Sequence, residues 1–150
     1  MMKSLLLITL AVTGCQFQPD HPTGLPGTNR QGQPIAALYN TRWVPREIAS
    51  RPIATPENTQ EPYLLLRPDA TAEGNAGCNQ FRGEATAKKA DELRFGALLR
   101  TEMACPALAT EEAFTTALTL TRHYRISGDT LRVYDERHGL LARLEAVYLH

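Results

Sequence analysis

The sequence predicts an α+β fold, mostly antiparallel, with a curled sheet or partial barrel and one main helix. Three observations predict it. Short runs of alternating or apolar residues are separated by turn signals such as Pro68-Asp69 and Ser127-Gly128-Asp129. One stretch after residue 109 switches to a helical period. The last third holds three strand-like runs at hairpin spacing, which implies a meander.

The elements follow in order. Residues 40–48 contain Trp43 and Val44 and read as a first strand. Trp43 is assigned to the core, since large aromatics dominate small cores. Pro45 lacks an N–H, so the strand is expected at a sheet edge or bulged there. Residues 50–62 hold three prolines and few large apolar residues, which reads as a long loop. Tyr63-Leu64-Leu65-Leu66-Arg67 reads as a buried strand, and residues 71–76 as its short partner. Residues 81–88 and 92–95 form two further strands around the polar turn Lys89-Ala90-Asp91. Thr110 can cap a helix, with Glu111 and Glu112 suiting the positive end of its dipole. Phe114, Ala117, Leu118 and Thr121 fall on one face of that helix, which is expected to end near Arg122. Strands around Tyr124-Arg125-Ile126 and Leu131-Arg132-Val133-Tyr134, and over residues 140–147, complete the chain.

The amino terminus reads as a leader and not as a domain. Lys3 precedes a mainly apolar run, residues 5–12, followed by Thr13, Gly14 and Cys15. That run is too short to span a bilayer, which takes about 20 residues, and has the form of a secretory signal. Val12-Thr13-Gly14-Cys15 resembles a bacterial lipobox. Residues 1–14 are therefore expected to be a lipoprotein signal peptide. Cys15 would be the lipid attachment site, carrying diacylglycerol on its thiol and an acyl chain such as palmitate on its new amino terminus. Several acyl chains anchor firmly where one is marginal. Gln16 after the cysteine suggests the outer membrane, with the domain facing the periplasm. Residues 15–38 hold four prolines and three glycines and read as a flexible tether. The domain proper is expected over 39–150.

Composition narrows the partners. Sixteen basic residues balance sixteen acidic ones, and Lys88-Lys89 is the only Lys pair. Nucleic-acid binding needs clustered positive charge, so no nucleic acid is expected. The membrane is met through the amino-terminal lipid, and an envelope protein partner remains open.

Two segments organise the domain: Gly77-Cys78-Asn79-Gln80-Phe81-Arg82-Gly83 and Thr101-Glu102-Met103-Ala104-Cys105-Pro106. In an oxidising compartment Cys78 and Cys105 most simply pair as a disulfide. Closing that loop would stabilise the fold by about 3–4 kcal/mol on the chain-entropy view. The alternatives are a redox pair or a metal site, but no C-x-x-C or C-x-x-H occurs. Asn79 suits a left-handed turn or a bond to neighbouring backbone, and Thr101 suits backbone groups near the bridge. His21, His123, His138 and His150 read as surface residues. Glu111, Glu112, Asp135 and Glu136 sit where helix starts and turns already explain them. Arg125, Arg132 and Arg143 fall on neighbouring strands of the meander, on one solvent face that could take anionic headgroups or a partner.

The combined motifs resemble the META domain, the HslJ-like family of heat-inducible bacterial lipoproteins. The resemblance rests on Gly77, Cys78, Asn79, Phe81 and Gly83, then Leu93, Phe95, Leu98, Thr101, Met103 and Cys105, then Glu112, Phe114 and Leu118. The tail agrees through Ile126, Gly128, Leu131 and Gly139-Leu140-Leu141-Ala142. It covers roughly residues 41–147. The resemblance implies a small α+β envelope domain linked to stress response and antibiotic tolerance, with no catalytic residues to carry over. The leading expectation is a non-catalytic, lipid-anchored protein supporting outer-membrane integrity, with no cofactor and no metal. A periplasmic binding module or enzyme inhibitor is the alternative, recognising an envelope protein or small ligand, and an enzyme is the third.

Overall fold

A computed structural model describes residues 27–28, 32, 34–55, 57, 59–104 and 106–148. The signal segment and Cys15 lie outside the described residues. Among the described residues, ten strands and one helix follow one another. They are β1 (Arg42–Ile48), β2 (Arg51–Pro52), β3 (Tyr63–Leu66), β4 (Thr71–Asn75), β5 (Gln80–Thr86), β6 (Arg94–Phe95), β7 (Leu99–Arg100), α1 (Leu108–Leu120), β8 (His123–Ser127), β9 (Thr130–Tyr134) and β10 (Leu140–Val147).

All the strand pairs are antiparallel. The spatial order is β6-β5-β4-β3-β1-β10-β9-β8, with β2 beside β1 and β7 beside β5. Two consecutive meanders, β3-β4-β5 and β8-β9-β10, are therefore joined through β1. The sheet curls until its first and last strands meet at one corner. There Glu92 bridges His123, Leu93 N donates to Arg122 O at 3.1 Å, and Tyr124 N donates to Asp91 O at 2.9 Å. Among the described residues no further ladder continues from that corner, so the curled sheet stays unclosed.

Alternation explains what fills the concave side. Leu64 and Leu66, Leu131 and Val133, and Ala142 and Leu144 point inward from three strands and are buried. Trp43 is fully buried, and its indole N–H donates to Leu38 O at 3.0 Å. The helix lays Phe114, Ala117 and Leu118 into this concavity. Phe114 meets Phe81 edge-on, with ring centres 6.1 Å apart. Thr121, at the helix end, is also buried, its hydroxyl donating to Ala117 O at 2.8 Å.

β1 is central in the sheet, and Pro45 sits at a bulge between Pro45 and Glu47 against β10, the second of the two arrangements expected for it. Other expectations need correction. The helix begins at Leu108, two residues before Thr110. Its cap is Ala107, with no side-chain hydrogen bond, so backbone geometry alone starts it. The loop over 50–62 contains β2, hairpinned back onto Glu47 and Ile48. The end of the expected tether is part of the core. Ala36 and Leu38 are buried, and Ala36 N donates to Gly128 O at 3.0 Å.

Candidate functional site

The two motif segments meet beneath the first turn of α1. The connection from β4 to β5 is set locally. Asn75 Oδ1 accepts from Gly77 N at 2.7 Å, and Gln60 N donates to Gly77 O at 3.2 Å. Gly77 takes φ +133, a conformation L side chains rarely adopt, and a Cβ there would lie 3.2 Å from Ala107 Cβ. The glycine thus lets the loop pass against the start of the helix. The left-handed position expected for Asn79 belongs to Gly77 instead, and Asn79 is free to turn its side chain inward.

Asn79 is 3% exposed and bonds in three directions. Its Oδ1 accepts from Thr101 Oγ1 at 2.9 Å and from Met103 N at 2.8 Å. Its Nδ2 donates to Met103 O at 3.1 Å and to Glu111 Oε2 at 3.0 Å and Oε1 at 3.1 Å. Its backbone N also donates to Glu111 Oε2, at 3.1 Å. Thr101 Oγ1 in turn accepts from Gln80 N at 3.2 Å. Glu111 is a carboxylate only 1% exposed, with the Arg100 guanidinium 3.7 Å from its Oε1. A buried carboxylate needs such donors, because desolvation otherwise penalises the charge.

The remaining motif residues serve the same junction. Phe81 supplies the ring against Phe114. Gly83 leaves room for the chain after β6: a Cβ there would sit 2.8 Å from Leu98 Cδ2 and 2.5 Å from Ala97 O. Met103 contributes its backbone, while its side chain is exposed. Cys78 is half-buried at the turn, and Cys105 lies outside the described residues. The participant missed by sequence reading is Glu111, taken there for a dipole partner. It stands three residues before Phe114 on the apolar stripe, and a charge on that stripe was the available signal.

The other candidates are distributed over the surface. Asp135 closes its hairpin turn, Oδ1 accepting from Arg137 N at 2.8 Å and Gly139 N at 2.7 Å. Arg125, Arg132 and Arg143 stand in one row across β8, β9 and β10, as expected from alternation. Arg143 is paired with Glu47 at 2.9 Å and Glu145 at 2.8 Å. Arg46 joins the network through Glu145 and Glu61, and the bonds from Arg46 and then Arg143 hold the Glu145 carboxyl below the usual carboxylate range. His123 and His138, unrelated in the sequence reading, stack with ring centres 4.3 Å apart. An apolar cleft of about 850 Å³ runs between residues 34–41, Pro68 and Tyr148. Among the described residues no group of three or more His, Cys, Asp or Glu could hold a metal ion. No described helix is long and apolar enough to cross a membrane.

A curled antiparallel sheet around one helix, with a Gly-Cys-Asn turn pinning a Thr-x-Met segment to that helix, defines a small α+β domain whose motif polar groups bond one another. The chain belongs to the META domain family, which matches residues 36–148. Among solved structures, it is similar to an NMR structure of a protein from Burkholderia xenovorans. Identity is 23%, the TM-score is 0.60, and the match covers 88% of this chain and 100% of that one. A second NMR structure is 18% identical with a TM-score of 0.56, covering 72% of this chain and 90% of the other. These likenesses concern the fold. No curated protein matches the chain.

Proposed function

We propose that this is a non-catalytic, lipid-anchored protein of the cell envelope, held by Cys15 in the outer membrane and facing the periplasm. Its work there is to support membrane integrity under stress, including tolerance of antibiotics. One observation carries the non-catalytic reading. The polar atoms of the family motif are consumed internally: Asn79 Oδ1 and Nδ2, Thr101 Oγ1 and both Glu111 oxygens each have protein partners. A group that must act on substrate needs a free lone pair or proton within reach of it, and this motif spends its own on holding the fold. The leader and Cys15 support the anchor.

The same reading includes a Cys78–Cys105 disulfide. Asn79 follows Cys78 and grips Met103, two residues before Cys105, at 2.8 and 3.1 Å. The bridge would tie covalently what the amide ties by hydrogen bonds. Intact mass should show the acyl additions at Cys15, and a rise of about two protons on reduction. A periplasmic binding module is the second reading, favoured by the apolar cleft, whose volume falls within the ~300–1,000 Å³ of ligand pockets.

The test is a deletion strain challenged with heat and large hydrophobic antibiotics, then complemented. Sensitivity rescued by the wild type but not by Cys15→Ser supports the anchored envelope role. A strain with no sensitivity under any challenge overturns it, and capture of a stable envelope partner through the cleft would favour the second reading.

A further inference from the structure

We propose that the outer face of β8 and β9 binds a phosphate-type oxyanion, held between the Arg125–Arg132 pair and the stacked rings of His123 and His138. Two independent features converge there.

The first is an uncompensated pair of like charges. Arg125 and Arg132 are direct cross-strand partners. Like charges placed opposite each other in an antiparallel pair destabilise it. The next arginine in the row shows how the fold normally answers this, since Arg143 has Glu47 and Glu145. No carboxylate among the described residues lies within ion-pair distance of Arg125 or Arg132. Their face is outward, because Leu131 and Val133 occupy the inner side of β9.

The second feature is a notch of about 290 Å³, lined by Asp91, His123, Tyr124, Arg125, Tyr134 and His138. One of its lining residues, His123, has a buried Nδ1 with no hydrogen-bond partner. Buried polar atoms in folded proteins are nearly always paired, so an orphan points to a missing partner. His138 is held over His123 by backbone at φ +60, unusual for a residue with a side chain. Asp135 fixes that turn through its bonds to Arg137 N and Gly139 N. The stack is therefore built in.

Arg125 belongs to both features. Successive outward positions on a strand are about 7 Å apart, within the span of an arginine side chain. A tetrahedral dianion accepts charge-assisted bonds from two guanidinium groups and an imidazole at once, which suits this constellation better than a single-charge carboxylate. It also removes the Arg–Arg repulsion. The phosphate could be free or a lipid phosphomonoester; both present the same dianionic terminal group, so the chemistry of recognition is shared. Nothing in this inference depends on Cys15 being lipidated.

The test uses the full chain and follows the ring C–H resonances of His123 and His138 by NMR. Inorganic phosphate and sulfate are titrated against chloride at matched ionic strength. Saturable shifts with the two dianions, absent with chloride, are expected. Arg125→Gln and Arg132→Gln should each weaken binding by about tenfold, the loss of one charge-assisted bond, while Arg51→Gln on β2 should leave it unchanged. A parallel arm uses phosphatidylcholine vesicles with and without phosphatidic acid, a phosphomonoester. Shifts that require phosphatidic acid and vanish in Arg125→Gln assign the site to a lipid headgroup. Shifts with the free dianions alone assign it to soluble phosphate. Equal shifts with chloride, or none in either arm, overturn the proposal.

Discussion

Changing Asn79 to aspartate keeps the shape of the buried junction and reverses its electrostatics. In the native fold Nδ2 donates to both Glu111 oxygens at 3.0 and 3.1 Å and to Met103 O at 3.1 Å. The aspartate would set a second carboxylate against the first, in a site from which Glu111 is almost wholly withdrawn from water. Two carboxylates so placed cannot both ionise at ordinary cost, and the pair retains one proton. That route sets the ceiling on the penalty. Holding a carboxyl with an ordinary pKa near 4 protonated at pH 7.5 costs about 5 kcal/mol, at 1.36 kcal/mol per pH unit, and about 1.4 kcal/mol at pH 5. The sign follows from linkage. The pair titrates higher in the folded state than in the unfolded chain, so the penalty is full above the folded value and fades as pH falls toward the unfolded one. Urea unfolding followed by the fluorescence of Trp43, the single tryptophan and fully buried, measures it. The deficit against wild type should be about 4–5 kcal/mol at pH 7.5 and about 1–2 kcal/mol at pH 5. Adding Glu111→Gln restores an amide opposite a carboxylate with the roles exchanged, and should recover more than half of the loss at pH 7.5. A deficit below about 1 kcal/mol at pH 7.5, or one equal at both pH values, would refute the reasoning.

Three further outcomes are expected. Phe114→Ala removes the ring that fills the concavity against Phe81 and should cost about 3–5 kcal/mol in urea unfolding, with little collapse because the sheet backbone surrounds it. Gly74→Ala should cost about 3 kcal/mol by the same assay, since a Cβ there meets the Tyr63 carbonyl and lies 2.6 Å from Phe81 Cζ; a neutral result would mean β4 shifts freely. Glu145→Gln should cost under about 1 kcal/mol, because Arg46, Arg143 and Glu145 are substantially solvent-exposed. The Glu145 carboxyl is depressed in the folded state by Arg46 and Arg143. Its contribution is therefore present above the ordinary carboxylate value and lost as pH falls through the depressed one. The variant's stability should then converge on wild type in acid, which unfolding curves from pH 7 down to pH 3 would read.

What was legible in the sequence follows from the range of the signals. Period-two alternation placed Leu131, Val133 and Leu144 inside and put the three arginines in one row, because that pattern is local and each residue reports its own face. The two-residue strand β7 carried no period and left no trace; its partner, β5, lies outside any local window. The helix start was misplaced for a related reason. Thr110 has the chemistry of a cap, but α1 starts from Ala107, against which Gly77 packs so closely that a Cβ on it would lie 3.2 Å from the Ala107 side chain. Residues 35–38 follow a Pro/Gly-rich stretch and read as part of it, although Ile35-Ala36-Ala37-Leu38 is itself an apolar run; the burial of Ala36 and Leu38 depends on Trp43 and Gly128 being there to receive them. The junction itself was half legible. Asn79, Thr101 and Met103 stood out as a set, but their common partner did not, since a glutamate in the first turn of a helix has a sufficient local explanation. The burial of Glu111 changes what the motif means. Its asparagine serves a charge placed thirty-two positions away, so the motif is best understood as the support for a buried carboxylate, and its loss should be felt in stability and in the seating of α1 before it is felt in any interaction at the surface.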